Sequence, residues 1–187
     1  DEPSVAIAYD SRIKSDVFAE CAAGVLAANG IKVYIYPELM PTPMLSFAVR
    51  RLGCSSGIVL TASHNPKQWN ALKLLNEKGE FLNAAEGQEV LRIAAAEEFD
   101  YADVETLGKY RLDESYDDKH IEAVLALPLV DVEAIKAAGF KVAIDCVNSV
   151  GGVILPKLFD KLGITKVDKL YCEPTGDFQH NPEPLAK

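Results

Sequence analysis

Residues 61–66 read TASHNP and directly follow the apolar run at 57–60. This short segment combines a hydroxyl, an imidazole, a carboxamide and a proline. Ser63 could carry a phosphoryl group, because neighbouring backbone N–H groups, His64 and a metal ion could share its added charge of about −1.5 to −2. The structural alternative is a helix cap, since Ser and Asn are preferred at helix starts and Pro is common in the first turn.

Three polar loops follow predicted strands. They are residues 10–12, which read DSR, residues 61–70, and residues 148–152, which read NSVGG. In open α/β sheets, ligands collect at the carboxyl ends of the strands, where loops meet helix N-termini. All three are therefore candidate ligand loops, although the glycines at 151 and 152 are equally compatible with a tight turn.

The composition excludes some classes of function. The chain has 187 residues, 49% of them hydrophobic, and a net charge of −9, so a nucleic-acid partner is not expected. The apolar runs are far too short for a membrane span, and no signal pattern precedes them. The four cysteines form no Cys-x-x-Cys pair and no zinc pattern. We expect reduced thiols, no membrane partner and a cytoplasmic location.

Strand-like apolar runs alternate with stretches of helical periodicity in the first half of the chain. The predicted strands cover 5–9, 32–36 and 57–61, and the predicted helices cover 14–28 and 43–52. Asn29-Gly30 and Gly53 follow the helices, as expected for left-handed helix ends. The alternation predicts an α/β fold with a mixed, mostly parallel sheet flanked by helices.

The pattern changes after the third strand. Residues 71–82 contain a turn-rich centre and predict an added hairpin edge, and residues 85–98 predict a helix. The charged segment 99–115 lacks a clear period, which indicates a connection between domains.

The second half repeats the α/β pattern. Its predicted elements are helices over 117–125, 132–138 and 151–162 and strands over 141–147 and 167–172. The predicted organisation is a first domain over 1–108, a linker over 109–116, and the start of a second, similar α/β domain over 117–187. Because two strands make a poor sheet, we expect the natural protein to extend beyond this chain.

The loop at 61–66 resembles the phosphoserine loop of the α-D-phosphohexomutases, which interconvert hexose 1-phosphates and 6-phosphates. Several other segments agree with this family in order and spacing, so the resemblance covers almost the entire chain. These segments are residues 9–12, 41–43, 71–73, 145–152 and 176–184. The last of them carries Gln179 where the family commonly has proline.

The resemblance implies roles for individual residues. Ser63 would be phosphorylated at rest, would donate its phosphate to the bound sugar phosphate, and would contact magnesium through its side-chain oxygen. His64 and Asn65 would line the reaction centre. Lys73 would move the proton of the substrate hydroxyl, and Arg12 would be a basic residue of the active-site rim.

The resemblance also implies what lies elsewhere. His180 would belong to a loop that borders the cleft. The remaining ligands of Mg²⁺, the sugar-binding loops and the C-terminal domains of the same protein would lie outside this chain, so we expect the chain alone to be inactive. The partners would be a hexose phosphate of glucose, mannose or glucosamine and an activator of the glucose 1,6-bisphosphate type.

Simpler interpretations stay open for some residues. Lys73 could be a solvated residue of an edge strand, and Arg12 could pair with Asp10 or Asp16 at the surface. For the whole chain, the alternative function is a non-catalytic phosphosugar-binding or regulatory module in which Ser63 is a phosphorylation target.

Overall fold

The computed structural model describes residues 2–184. Within them, helices and strands alternate along most of the chain, and a short 3-10 turn covers Val104–Thr106. The strands are β1 (Ser4–Tyr9), β2 (Lys32–Ile35), β3 (Ser56–Leu60), β4 (Leu72–Leu75), β5 (Tyr110–Leu112), β6 (Lys141–Asp145) and β7 (Lys166–Leu170). The helices are α1 (Ser15–Ala28), α2 (Thr42–Leu52), α3 (Ala84–Ala96), α4 (Tyr116–Leu125), α5 (Val132–Ala138) and α6 (Gly151–Lys161).

The first sheet has the strand order β4-β3-β1-β2-β5. Strand β1 pairs in parallel with β2 and β3, and β5 pairs in parallel with β2. Strand β4 is antiparallel to β3 and forms one edge. The predicted mixed, mostly parallel α/β sheet is therefore confirmed.

Helices α1 and α2 cover opposite faces of this sheet. Val59 packs with Met44 on the α2 side, whereas the next residue, Leu60, packs with Ala19 on the α1 side. This alternation follows from the two-residue period of a strand. Burial of each large apolar side chain stabilises the fold by about 1.5–3 kcal/mol, so two apolar layers hold the sheet that carries the loops.

The ends of both helices follow the predicted signals. Pro43 lies in the first turn of α2, where a missing N–H costs nothing. Gly53 and Gly30 follow the two helices with φ of 65° and 73°, the left-handed conformation that glycine adopts without a Cβ clash.

The predicted hairpin edge is only partly regular. The turn at Asn76 closes when the N–H of Gly79 donates to its carbonyl at 3.0 Å. Phe81 then returns along β4 through a single bridge to Leu75. The second arm of the hairpin is thus reduced to a single β-bridge, and β4 is the edge strand of the sheet.

The segment expected to be a linker carries a strand. Tyr110–Leu112 forms β5 at the edge of the first sheet, opposite Val33–Ile35 of β2. Its three residues are all exposed, so no buried face produces a periodic apolar pattern. This strand is held by backbone pairing with β2, and such pairing leaves no periodic pattern in the sequence.

The second sheet consists of β6 and β7, which pair in parallel on either side of α6 in the chain. This is the predicted βαβ unit. Helix α4 packs onto the first sheet's core: the ring of Tyr116 lies edge-on to Tyr36, with centroids 5.7 Å apart. The division at residues 116 and 117 stays a prediction. Across residues 2–184, no helix has the length and apolar character needed to cross a membrane.

Candidate active site

The loop 61–70 lies at the carboxyl end of β3, beside the carboxyl ends of β1 and β2. An open cavity of about 360 Å³ adjoins it and is lined by Ser63 and His64. The N-terminal turns of two eleven-residue helices, α2 and α6, border the same cavity through residues 41–43 and 149–150. Because the helix dipole places partial positive charge at a helix N-terminus, this geometry favours an anion.

Ser63 has an unusual backbone conformation. Its φ is 58°, in the left-handed region, which costs a residue with a Cβ about 1–2 kcal/mol. Its N–H donates to Oγ1 of Thr61 at 3.0 Å, and its side chain is exposed at the cavity. Such strain persists only where surrounding contacts fix the backbone.

A buried carboxylate supplies one set of those contacts. Oδ2 of Asp10 accepts from the hydroxyl of Thr61 at 2.6 Å, and Oδ1 accepts from the N–H of Arg12 at 2.9 Å and from the hydroxyl of Ser15 at 3.2 Å. The amide of Asn70 donates to the same Ser15 hydroxyl at 2.8 Å. Asp10 therefore links both ends of the loop 61–70, which we call the serine loop, to the start of α1. These residues form one hydrogen-bond network.

The guanidinium of Arg12 supplies the other set. Its Nη1 and Nη2 atoms donate to four backbone carbonyls of the loop, at distances of 2.7–2.9 Å. The acceptors are the carbonyl oxygens of Ser63, Asn65, Pro66 and Trp69. One planar, permanently charged group thus determines the path of the loop.

The Arg12 side chain lies beneath the loop 61–70, and its expected role at the active-site rim stays a prediction. The side chain is fully buried and pairs with Asp10 at 3.4 Å, not at the surface. Burial lowers the pKa of Arg12 from its ordinary value, and the adjacent Asp10 acts in the opposite direction. Because its terminal nitrogens bond carbonyls of the loop, Arg12 positions the loop backbone.

His64 and Asn65 are exposed in the loop beside Ser63, and their place in a reaction centre stays a prediction. Nδ1 of His64 is 3.3 Å from Oγ of Ser63. The N–H of Asn65 donates to the carbonyl of Ala62 at 3.0 Å, which closes a turn around Ser63. The imidazole is therefore the side chain next to the hydroxyl.

Lys73 lies on β4, directly opposite Val59. Its ammonium group is 5.7 Å from the centre of the Phe81 ring, a cation–π distance. The structure thus places Lys73 on the edge strand beside the serine loop, with its charged end against an aromatic ring.

The second α/β unit, which contains β6, α6 and β7, contacts the loop after β1 through Asn148 and Ser149. The hydroxyl of Ser11 donates to the carbonyl of Asn148 at 3.1 Å and lies 3.1 Å from the hydroxyl of Ser149. Asn148 is buried and left-handed, with φ of 51°. These contacts bring the end of β6 against the end of β1.

The loop after β7 lies along the same region. Gly176 sits so close to the carbonyl of Ser11 that a Cβ would overlap it, and its φ is 69°. The ring of Phe178 lies 5.1 Å from the Arg12 guanidinium, and Asp177 pairs with Lys67 at 2.6 Å. Arg12 is therefore enclosed by loops from both units.

His180 lies in this loop but bonds within the second unit. Its Nε2 is 3.0 Å from Oδ2 of Asp145, and its Nδ1 is 3.1 Å from the carbonyl oxygen of Asn181. These two acceptors raise the pKa of His180 above its ordinary value. His180 thus holds its loop to the end of β6, while Phe178 lies against the Arg12 guanidinium.

Two family models match the chain. The description "Phosphoglucomutase/phosphomannomutase, alpha/beta/alpha domain I" matches residues 1–101, and the corresponding domain II matches residues 118–187. The chain belongs to this family. The loop that Arg12 holds lies in the part of the chain that matches domain I.

Relatives of this family match the chain over nearly its full length. A Methanobrevibacter smithii protein assigned as a phosphoglucosamine mutase is 33% identical over 100% of this chain and 40% of its own. A Thermococcus kodakarensis phosphoglucomutase/phosphomannomutase is 33% identical over 98% of this chain and 40% of its own. A Thermus thermophilus structure assigned as a phosphomannomutase has a TM-score of 0.84 at 29% identity, covering 98% of this chain and 41% of that one. This chain therefore spans about two fifths of these relatives.

The described residues do not fit a complete metal centre. Among residues 2–184, no group of three or more His, Cys, Asp or Glu side chains could hold a metal ion. Asp10, whose carboxylate bonds the start of the loop 61–70, already uses both oxygens for Thr61, Ser15 and Arg12. Ser63 is the single ligand that the family resemblance places here.

Three residues that matter to the site carry no distinctive sequence signal for their roles. Asp10 and Thr61 are ordinary polar residues at strand ends, yet they bond to each other across neighbouring strands. Phe178 lies 166 positions from Arg12 in the chain and still covers its guanidinium. An Asp directly after a buried strand could have indicated the first contact, but nothing in the local pattern indicates Phe178.

Proposed function

We propose that this chain is the phosphoserine-bearing part of a phosphosugar mutase that interconverts hexose 1-phosphates and 6-phosphates. The observation that carries the proposal is Ser63, whose hydroxyl is exposed on a strained, left-handed residue. Buried Arg12 holds the backbone around it through four carbonyls. A loop with only a capping role has no need of a buried arginine beneath an exposed serine.

The proposed reaction has two phosphoryl transfers. First, the bond between phosphorus and Oγ of Ser63 breaks while a hydroxyl oxygen of the bound hexose phosphate bonds to phosphorus, and that hydroxyl loses its proton. The product is a hexose 1,6-bisphosphate. It then returns its other phosphate to Oγ of Ser63, and the freed sugar oxygen takes up a proton. Phosphoryl transfer of this kind depends on positioning and on stabilisation of charge.

The cavity supports the charge requirement. The N-terminal turns of α2 and α6 border it, and their positive dipole ends favour the phosphate. His64 can donate a hydrogen bond to the phosphoserine, since its Nδ1 already lies 3.3 Å from Oγ. Asn65 contributes to the turn and lines the reaction centre in this proposal.

Lys73 is the proposed proton carrier for the sugar hydroxyl. Its side chain has four flexible carbons, but its ammonium group lies over the Phe81 ring. Proton transfer therefore requires the ammonium group to leave Phe81 and turn towards the substrate. His180 is proposed to border the sugar only through its loop, since both of its ring nitrogens face acceptors of the second unit.

The rest of the proposal concerns the whole protein. Since the chain spans 40% of the lengths of two of its relatives, we assign to other parts of the protein the remaining Mg²⁺ ligands and the sugar-binding loops. Mg²⁺ would supply charge neutralisation at the phosphoserine. A hexose 1,6-bisphosphate activator, a cytoplasmic location and inactivity of the isolated chain complete the proposal.

The test compares Ser63→Ala with Ser149→Ala in the full-length protein. Both residues line the same cavity, but only Ser63 is proposed to carry phosphate. Turnover of glucose, mannose and glucosamine 1-phosphates is measured with Mg²⁺ and the bisphosphate, together with transfer of label from radioactive bisphosphate to the protein. Ser63→Ala should abolish turnover and labelling, and Ser149→Ala should retain both.

Two outcomes would overturn the assignment. If Ser63→Ala keeps wild-type turnover, Ser63 is not the phosphate carrier. If the wild-type protein binds sugar phosphates but turns none of them over, the non-catalytic phosphosugar-binding module becomes the better function.

A further inference from the structure

Two cysteines of the second unit lie in contact. Cys146 directly follows β6, and Cys172 follows β7 by two residues. Their Sγ atoms are 3.2 Å apart, although 26 positions separate the residues in the chain. A disulfide has an S–S bond of about 2.05 Å, so the two sulfur atoms need to approach by little more than one ångström.

The backbone around this pair is closely held. The N–H of Cys146 donates to the carbonyl of Leu170 at 3.0 Å, and the N–H of Asn148 donates to that of Tyr171 at 2.7 Å. Gly152 at the start of α6 packs against the carbonyl of Cys172 so closely that a Cβ there would overlap it. The fold therefore keeps the two thiols adjacent.

The other two cysteines provide an internal comparison. Cys21 is exposed on α1, and Cys54 is buried beside α2. Within residues 2–184, Cys146 and Cys172 are the two cysteines whose thiols are in contact. Cys21 is thus the most exposed of the four thiols, whereas Cys146 and Cys172 each lie next to a second thiol.

We propose that Cys146 and Cys172 form a site of reversible oxidative modification that closes to an intramolecular disulfide with hydrogen peroxide as the oxidant. The overall change is two thiols plus one peroxide to one disulfide and two waters. This inference does not depend on the proposed mutase activity, because it concerns residues of the second unit and needs no sugar phosphate.

The two thiols have different roles in the reaction. Cys172 is the more exposed, and its thiolate attacks one peroxide oxygen; the O–O bond breaks, giving a sulfenic acid at Cys172 and a hydroxide that takes up a proton. The sulfur of Cys146 then attacks the sulfenic sulfur, and its proton leaves with the departing hydroxide as water. Burial raises the pKa of Cys146 to about 12, with a further contribution from Cys172, which favours Cys146 as the second reactant.

The test is peptide mapping of the purified protein after treatment with hydrogen peroxide, followed by alkylation of the remaining thiols. Trypsin places Cys146 in residues 142–157 and Cys172 in residues 170–187, because Lys157 and Lys169 separate them. We expect one cross-linked species made of these two peptides, with two of the four cysteines still alkylated. Dithiothreitol should restore both peptides.

Matched variants distinguish proximity from general reactivity. Cys21→Ser and Cys54→Ser should form the cross-link as the wild type does, whereas Cys146→Ser should lose it and accumulate a sulfenic acid at Cys172 that dimedone traps. The same treatment in urea should lower the yield, because unfolding separates the two thiols. The proposal is overturned if the folded protein gives no 142–157 to 170–187 cross-link, or gives it at the same yield in urea.

Discussion

Nη2 of Arg12 donates to the carbonyl oxygen of Ser63 at 2.9 Å. A buried cation thus contacts the backbone of the residue whose side chain faces the cavity. Arg12 bonds the loop's carbonyls, and Asp10 bonds the hydroxyl of Thr61. The hydroxyl of Ser63 is therefore exposed while Arg12 and Asp10 beneath it stay buried. The stability of the loop and the exposure of the Ser63 hydroxyl therefore depend on the same two side chains, Arg12 and Asp10.

Arg12→Lys should destabilise the protein by about 3 kcal/mol, because an ammonium group cannot reproduce the planar fork and leaves the loop's carbonyls and buried Asp10 poorly paired. Urea unfolding measures the loss. Hydrogen exchange should also become faster at the amides of residues 63–69. Arg50→Lys, at the exposed end of α2, is the matched control and should change little. Wild-type stability of Arg12→Lys would show that the loop does not depend on the guanidinium.

Ser63→Gly should be more stable than Ser63→Ala by about 1 kcal/mol, because glycine adopts a φ of 58° without the Cβ clash. Both changes remove the hydroxyl, so their difference in unfolding free energy isolates the backbone strain. At Ser115, where φ is −90°, the same pair of substitutions should give the opposite order. Equal stability of the two Ser63 variants would mean that the loop relaxes the strain.

Gly176→Ala should destabilise the protein more than Gly139→Ala. Both glycines have positive φ, 69° and 60°, so both alanines incur a backbone cost of about 1 kcal/mol. Only the Cβ at 176 would also overlap the carbonyl of Ser11, since Gly139 has open space. Thermal unfolding compares the two, and hydrogen exchange at residues 176–181 should increase only in Gly176→Ala. Equal effects would mean that the close contact with Ser11 adds nothing to stability.

The pair His180 and Asp145 predicts a pH dependence. Although burial acts to raise the pKa of Asp145, hydrogen bonds from the N–H of Val147 and from His180 lower it overall. The Asp145 contribution is therefore present above the unfolded-state pKa of Asp and is lost as the pH falls through the lowered value. The pKa of His180 is raised, so its contribution is complete below the unfolded-state pKa of His and is lost as the pH rises through the raised value.

Asp145→Asn should lower the pKa of His180, which an NMR titration of the ring measures. The matched control is Asp168→Asn, which removes an exposed carboxylate of β7 that pairs with Lys141. That variant should leave the His180 titration unchanged. If Asp145→Asn also leaves it unchanged, the 3.0 Å contact does not persist in solution.

Most regular elements could be predicted from local patterns. The observed bounds of α2, Thr42–Leu52, differ by one residue from those predicted, because Pro43 and Gly53 act through their own backbone conformations. The motif of the candidate phosphoserine loop is also a local property, carried by six consecutive residues at 61–66. Strand β5 was missed because its three residues are exposed and carry no apolar period.

The sequence by itself therefore determined the α/β class, the order of the elements and the candidate serine. Only the tertiary structure decided that the Arg12 side chain is buried and bonds the carbonyls of the loop 61–70. It likewise brought Cys146 to Cys172 and Phe178 to Arg12. The physical reason is that periodicity and turn signals act over a few residues, whereas burial and pairing depend on which distant segments the sheet brings together.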